Sequence, residues 1–401
     1  MSETSDLKPS GAYPVGMLAV LWLIGWTLRV PILAAPPLAT RIADSYGLGE
    51  AGIGALTMLP VVTVAFGAIP AAWVIGRFGL RPAIVGGITA MAVFSLARGF
   101  APSTMTLFAA SAIMGLGVSL FQTALPAATR VWTPTHVALG SAVYLNGMMM
   151  GELSGAGLTL PIVLPIAGGD WRFALAVWSI PILLIAALVA FKREQNACAE
   201  DYDTGARPAA STSALPRWND ARVWQYGLLY AGAIVTFFVI NAFAGSVLRA
   251  RGESDLLGLL LFSFNATPLL ASFAVLAMPK WIGWRGPIAL SAFLAAAGLA
   301  GFFFLDGKAA WGAALVTGFA STVELILLIS LPATIATGNA VTRLSAGMTL
   351  IGFGLAFMLP LIGGWIADQT GRTDMALMPS MVFAVVVLGA LGRHQRYPDY
   401  P

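Results

Sequence analysis

The sequence predicts an all-α membrane protein with twelve transmembrane helices in two pseudo-symmetric six-helix bundles. Three observations carry that expectation. Of 401 residues, 58% are hydrophobic and only 10% charged, against about 25% charged in a soluble domain. Apolar stretches of spanning length recur twelve times, separated by short loops that collect the Pro, Gly and charged residues. A short glycine–arginine turn also recurs at a fixed offset in the two halves.

The twelve stretches are 15–38, 50–76, 83–100, 103–128, 138–166, 171–191, 222–248, 256–278, 287–305, 309–336, 346–367 and 375–392. Each meets the length of a helical span, roughly 17–25 residues, and the longer ones are expected to tilt. The polar segment 192–221 falls midway and reads as a cytoplasmic linker. The expected organisation is an N-terminal bundle over 1–191, the linker, and a C-terminal bundle over 222–401. The first fourteen residues are polar and the first apolar stretch is long enough to span, so no cleavable leader is expected.

Basic residues set the orientation. Seven fall in the loops expected outside: Arg41, Arg98, Arg172, Arg249, Arg251, Lys308 and Arg372. Fourteen fall inside, among them Lys8, Arg77, Arg81, Lys192, Arg193, Arg207, Arg285, Arg393 and Arg396; Arg29 completes the 22. The two-to-one bias predicts an inner-membrane protein with both termini cytoplasmic.

The repeat lies in two loops. Ile75-Gly-Arg77-Phe-Gly79-Leu-Arg81-Pro82 follows the second span, and Lys280-Trp-Ile-Gly283-Trp-Arg285-Gly-Pro287 follows the eighth. The glycines and the arginines Arg81 and Arg285 are each 204 positions apart. A duplicated six-span unit is the pattern of parallel-repeat transporters.

Three ionisable residues interrupt apolar spans: Arg29, Glu152 and Glu324. At about 1.5 Å rise per residue from Val15, Arg29 lies roughly 21 Å deep, near the middle of a hydrocarbon core about 30 Å thick. A permanent cation there must face protein or a water-filled cavity. It is either a seat for an anion or a buried partner for a structural acid. Glu324 lies at similar depth, roughly 22 Å into the tenth span. It reads as a proton carrier, as an exchangeable counter-ion for Arg29, or as a structural polar contact. Glu152 lies in Gly151-Glu-Leu-Ser-Gly155-Ala-Gly157, a small-residue face suited to close helix packing. A packing or gating role is favoured there over substrate contact. Gln122, Tyr144, Asn146, Tyr230, Asn241 and Asn265 are uncharged polar groups within spans, for which interhelical hydrogen bonding is the plain alternative to ligand binding. Pro31, Pro60, Pro126, Pro268, Pro332 and Pro360 are candidate kinks.

Several function classes are disfavoured. The net charge of +4 is small and spread over membrane ends, which does not suggest nucleic acid. The single Cys198 provides neither a disulfide nor a metal cluster, and His136 and His394 lie in loops. No phosphate-binding loop, dinucleotide fingerprint or nucleophile–base set is present. Neither an enzyme nor a cofactor is expected.

The loop Ala72-Trp-Val-Ile-Gly76-Arg77-Phe78-Gly79-Leu80-Arg81 resembles the hallmark of the major facilitator superfamily, Gly-x-x-x-Asp-Arg-x-Gly-Arg-Lys. Gly76 stands at the aspartate position, so a gating salt bridge built on that Asp is absent. Within the superfamily the chain is similar to the cyanate/2-nitroimidazole permease group. That similarity rests on Leu28-Arg29-Val-Pro31 with Leu56-Thr-Met-Leu-Pro60, on Asp170-Trp171-Arg172-Phe-Ala-Leu-Ala-Val-Trp178, and on Leu344-Ser-Ala-Gly347-Met348, Gly352-Phe-Gly-Leu-Ala and Pro360-Leu-Ile-Gly-Gly-Trp-Ile-Ala-Asp368-Gln-Thr-Gly371. The resemblance implies that spans one, four, seven and ten line a central cavity. Arg29, Gln122, Asn241 and Glu324 then become candidate substrate contacts. Glu324, Glu152, Arg77, Arg81 and Arg285 become candidate coupling or gating residues. The implied function is a secondary transporter of a small anion or small polar organic solute, cyanate-like or nitroimidazole-like, working by alternating access. An exporter of drugs or metabolites with a structural Arg29 is the alternative, although span five lacks the Gly-Pro-x-x-Gly-Gly of drug/proton antiporters. The expected partners are a small-molecule substrate, the bilayer and, as a candidate coupling ion, the proton; a monomer is expected.

Overall fold

Hydrophobic helices long enough to cross a bilayer dominate the computed structural model, which describes residues 15–191, 216–336 and 339–391. Lys8, Lys192, Arg193, Cys198, Arg207, Arg393, His394, Arg396 and most of the expected linker lie outside these residues. Among the described residues ten helices have spanning length and composition, and a bent pair makes an eleventh. Thr373–Gly389 is a shorter apolar helix at the position of the twelfth span.

Spans three (Leu80–Gly99), four (Thr104–Trp132), six (Trp171–Phe191), seven (Ala221–Ala250), nine (Arg285–Phe304) and ten (Gly307–Ile335) match the expected stretches within a few residues. Span eight runs over Ser254–Ala277 and span eleven over Asn339–Thr370. Span two holds two prolines and bends at the second. Pro60 sits inside the helix Glu50–Phe66, and the 51° bend comes at Gly67, before Ala68–Phe78. Pro70 has no N–H for the Phe66 carbonyl, and the Ser119 hydroxyl donates to the Val64 carbonyl at 2.8 Å, competing for the acceptor that Ala68 N–H would use. Span five contains a π-turn over Thr159–Val163, which takes up Pro161. In both repeats the turn glycine has positive φ, 88° at Gly79 and 77° at Gly283, a region costly for residues with a Cβ.

Within the first six spans, three packs on four, one on five, three on six and two on four. Within the last six, nine packs on ten, seven on eleven, eight on ten and seven on ten. The two sets meet along spans two and eleven and along spans five and eight. Close approaches across these seams cluster at one end: Gly54 against the Pro360 carbonyl, Gly364 against Glu50, and Gly157 against Phe262. At the same end Arg249 Nη1 lies 3.0 Å from Asp44 Oδ1. This is the face expected to be outer, so the molecule is closed there.

Spans one and five are in backbone contact. A Cβ added at Gly147 or Gly151 would run into the carbonyl of Trp22 or Trp26, and one at Gly155 would meet the Val30 carbonyl at 2.7 Å. The stripe repeats every four residues and so faces one way. Trp22 Nε1 donates to Asn146 Oδ1 at 2.9 Å and Trp26 Nε1 to Ser154 Oγ at 3.1 Å, fixing the register. Gly151→Ala is expected to destabilise the protein by about 1–3 kcal/mol through overpacking. Gly86→Ala, whose Cβ meets nothing within 4 Å, is expected to be neutral. Apparent melting temperatures in detergent compare the two.

Candidate functional site

Span one breaks where Arg29 sits, for reasons visible in its neighbours. Pro31 has no N–H for the Thr27 carbonyl. The Thr27 hydroxyl donates to the Ile24 carbonyl at 2.7 Å, and Leu28 N–H turns to Gly25 at 3.1 Å. The helix Val15–Thr27 therefore stops, and Arg29 precedes a short restart over Val30–Leu33. A second interruption follows because Pro36 and Pro37 leave the Ile32 and Leu33 carbonyls without intrahelical donors. The chain then continues through a 3₁₀ turn, Pro36–Leu38, to the helix Ala39–Tyr46. The span expected over 15–38 thus breaks beside the candidate kink Pro31 and extends to Tyr46.

Arg29 is 8% exposed and faces span five. Its Nε lies 3.3 Å from Glu152 Oε1, and each side chain keeps 10% of its surface exposed. The angle at Nε is too poor for a hydrogen bond, so this is an ion pair held by packing. Among the described residues no hydrogen bond from Nη1 or Nη2 to protein is present. One edge of the guanidinium is thus turned to Glu152 while the terminal nitrogens stay available. From the other half, Tyr230 on span seven lies within electrostatic reach of Arg29. It is 8% exposed and packs edge-on against Phe353 at 6.4 Å.

Of the three readings of Glu324, that of a counter-ion beside Arg29 is not what the fold makes. Glu152 takes that place because the glycine stripe brings span five against span one, whereas Glu324 turns into its own half. Glu324 is 1% exposed, and its Oε1 would lie 3.9 Å from a Cβ at Gly232 of span seven. No salt bridge to it occurs among the described residues, and Oε1 is buried without a hydrogen bond. Gln122 is half-buried on span four, its Oε1 likewise unpartnered. Asn241 is buried and accepts from Asn265 Nδ2 at 2.9 Å, tying span seven to span eight. This is the interhelical bond weighed against ligand binding.

The loop arginines hold helix ends. Arg81 Nη2 donates to Ala190 O at 2.9 Å and Val189 O at 3.3 Å, closing the end of span six. Arg77 is exposed in the last turn of its helix, and Arg285 opens span nine. Arg98 needs correction: expected in an outer loop, it is 1% exposed at the end of span three. Its Nη2 donates to the Pro31 carbonyl at 2.6 Å, two residues beyond Arg29. Sequence reasoning did not place Arg98 at the site, and took Tyr230 only as one of several polar groups within spans. The prolines Pro31, Pro36 and Pro37 were the available signal that this stretch needs donors from other helices.

Two seamed sets of apolar helices, with a buried ion pair between spans one and five of the first set, are the arrangement in which the family match falls; the family and the relatives below are membrane transporters. A profile of the Major Facilitator Superfamily matches residues 17–336, and the chain belongs to that family. It is 27% identical over 393 residues to the 2-nitroimidazole transporter of Escherichia coli (strain K12), covering 96% of each chain. It is 26% identical over 408 residues to a probable sulfoacetate transporter of Cupriavidus necator, covering 94% of this chain and 91% of that one. Among solved structures, a bacterial homologue of the human lysosomal transporter Spinster, inward-facing and unoccupied, superposes with a TM-score of 0.75. The alignment covers 95% of this chain and 97% of that one at 16% identity, a likeness of fold alone.

Removing one member of a buried pair strands the other charge, typically at about 3–5 kcal/mol. Glu152→Met is therefore expected to lower stability more than the double variant Arg29→Met/Glu152→Met. A double-mutant cycle on melting temperature or denaturant midpoint reads the coupling, and additive losses would remove the pair from the account.

Proposed function

We propose that this transporter carries a small, neutral, dipolar solute bound at the Arg29–Glu152 pair. The carrying observation is the 3.3 Å approach of Glu152 Oε1 to Arg29 Nε, a pair with no net charge when Glu152 is ionised. A solute with an acceptor at one end and a donor at the other can use the free Arg29 nitrogens and the Glu152 carboxylate together. A small anion would leave an uncompensated negative charge in a low-dielectric site, which is unfavourable. Nitro-heterocycles and amides fit the donor–acceptor description, and the name of the 2-nitroimidazole relative points the same way. The sulfoacetate relative favours a second reading, in which an anion displaces Glu152 from Arg29. Export of larger metabolites, with Arg29 purely structural, is the third.

Glu324 is the proposed proton-binding group. Its support is a buried carboxyl with no cation beside it among the described residues. Gln122 remains a proposed substrate contact through its free Oε1. The proposed setting is an inner membrane with both termini cytoplasmic, supported by the basic-residue bias. The proposed bundles, 1–191 and 222–401, rest on the repeat offset and on the linker.

Uptake by proteoliposomes tests the site. Compared at equal amounts of folded protein, Arg29→Lys, which keeps a cation beside Glu152, and the less stable Arg29→Ala are both expected to reduce transport of 2-nitroimidazole about 10–100-fold, as for lost charge-assisted bonds. Excess cyanate is expected to compete poorly with parent protein. Efficient competition would favour the anion reading, and unaltered uptake by folded Arg29→Ala would sink the site assignment. Glu324→Gln is expected to keep solute exchange and lose accumulation driven by a proton gradient; retained accumulation would remove Glu324 from coupling.

A further inference from the structure

We infer that Asp368 is a gating residue: its carboxylate latches the expected outer face shut by capping span two from the opposite half. The Glu50 N–H donates to Asp368 Oδ1 at 2.7 Å and the Ala51 N–H to Oδ2 at 3.0 Å. These are the first N–H groups of the helix Glu50–Phe66, which no helical carbonyl can satisfy. The residue before them, Gly49, has no side chain to cap with. Span four, by contrast, is capped by its own Ser103, and span seven by Asp220. Span two therefore depends on a carboxylate from the end of span eleven, some 318 residues away in sequence. The negative charge also meets the positive end of the helix dipole.

The seam is shaped around this contact. A Cβ on Gly49 would come within 2.5 Å of Asp368 Oδ1, and one on Gly364 within 2.5 Å of the Glu50 backbone. Both glycines let the backbones close far enough for the carboxylate to reach. Beside the latch, Arg249 pairs with Asp44 across the same boundary. A cavity of about 170 Å³ lined by Thr40, Asp44, Glu50, Ser246 and Arg249 lies there too. Asp368 itself is exposed. Water can thus replace the amide donors and the carboxylate when the halves part, which makes the contact reversible. Alternating access requires that it break in each cycle, so its strength sets how often the outer face opens.

The latch depends on two halves that move, not on which solute is carried, so its test needs no substrate. Spin labels at Pro102→Cys and Lys308→Cys, both exposed near the outer ends of the two halves, are introduced with Cys198→Ser in the full chain in nanodiscs. Electron–electron distance measurements then read the open and closed populations. Asp368→Ala is expected to raise the ratio of long to short distances about five- to tenfold, the effect of losing one good cap and its dipole interaction. Gly49→Ala, which pushes the carboxylate away without removing it, is expected to move the ratio in the same direction. It serves independently should Asp368→Ala fail to fold. Asp255→Ala, which removes an exposed acid in the first turn of span eight, is expected to match the parent. Distance distributions unchanged in Asp368→Ala, or in Gly49→Ala where Asp368→Ala does not fold, would overturn the latch. So would an equal shift in Asp255→Ala, which would assign the effect to general outer charge.

Discussion

The ion pair between Arg29 and Glu152, 3.3 Å apart, is the interaction around which the N-terminal half is arranged. A guanidinium cannot shed its charge at mid-membrane depth, so something in the fold has to answer it. The answer comes from span five, and only because that helix presents glycines where it crosses span one. Had Gly147, Gly151 and Gly155 been larger, the axes would stand apart and Glu152 would fall short. The pair is therefore a consequence of backbone packing as much as of charge.

The same constraint governs the backbone of span one. In lipid, a helix may be interrupted only where protein supplies the missing hydrogen bonds. Pro31, Pro36 and Pro37 together free several carbonyls in a short stretch. Arg98 supports the same stretch from span three, donating to the Pro31 carbonyl, one of the last carbonyls of the short helix Val30–Leu33. A second buried cation thus supports the segment that carries the first. Arg98 does this through the backbone rather than through an acid, so its contribution is geometric: it holds the restart of the helix, and with it the placement of Arg29.

The proposed function rests on an asymmetry between the halves. The N-terminal half holds a compensated charge pair with one free edge, while the C-terminal half holds an uncompensated carboxyl, Glu324, turned away from that pair. Solute recognition and coupling would then reside in different halves, joined by the seams of spans two with eleven and five with eight. Those seams close tightly at one end, where glycines meet backbone and Asp368 reaches the start of span two. The hallmark aspartate of the opposite loop is replaced by Gly76, so in this chain the inner position cannot provide an equivalent carboxylate.

Much of this was legible in the residues. Composition and span length determine an α-helical membrane protein, because only helices satisfy their own backbone in hydrocarbon without closing a barrel. The offset of 204 between Gly79 and Gly283 announced a duplicated turn, and both glycines take positive φ as that turn requires. Arg29, Glu152 and Glu324 stood out because a charge in an apolar run is costly wherever it lies. Which of them meet was decided only by tertiary structure. Depth along a helix is a one-dimensional quantity, and equal depth suggested Arg29 with Glu324. Pairing depends on azimuth and on interaxial distance, which the glycine stripe of span five sets. The burial of Arg98 has the same origin. It depends on a group from another helix, the Pro31 carbonyl of span one, that local sequence cannot locate.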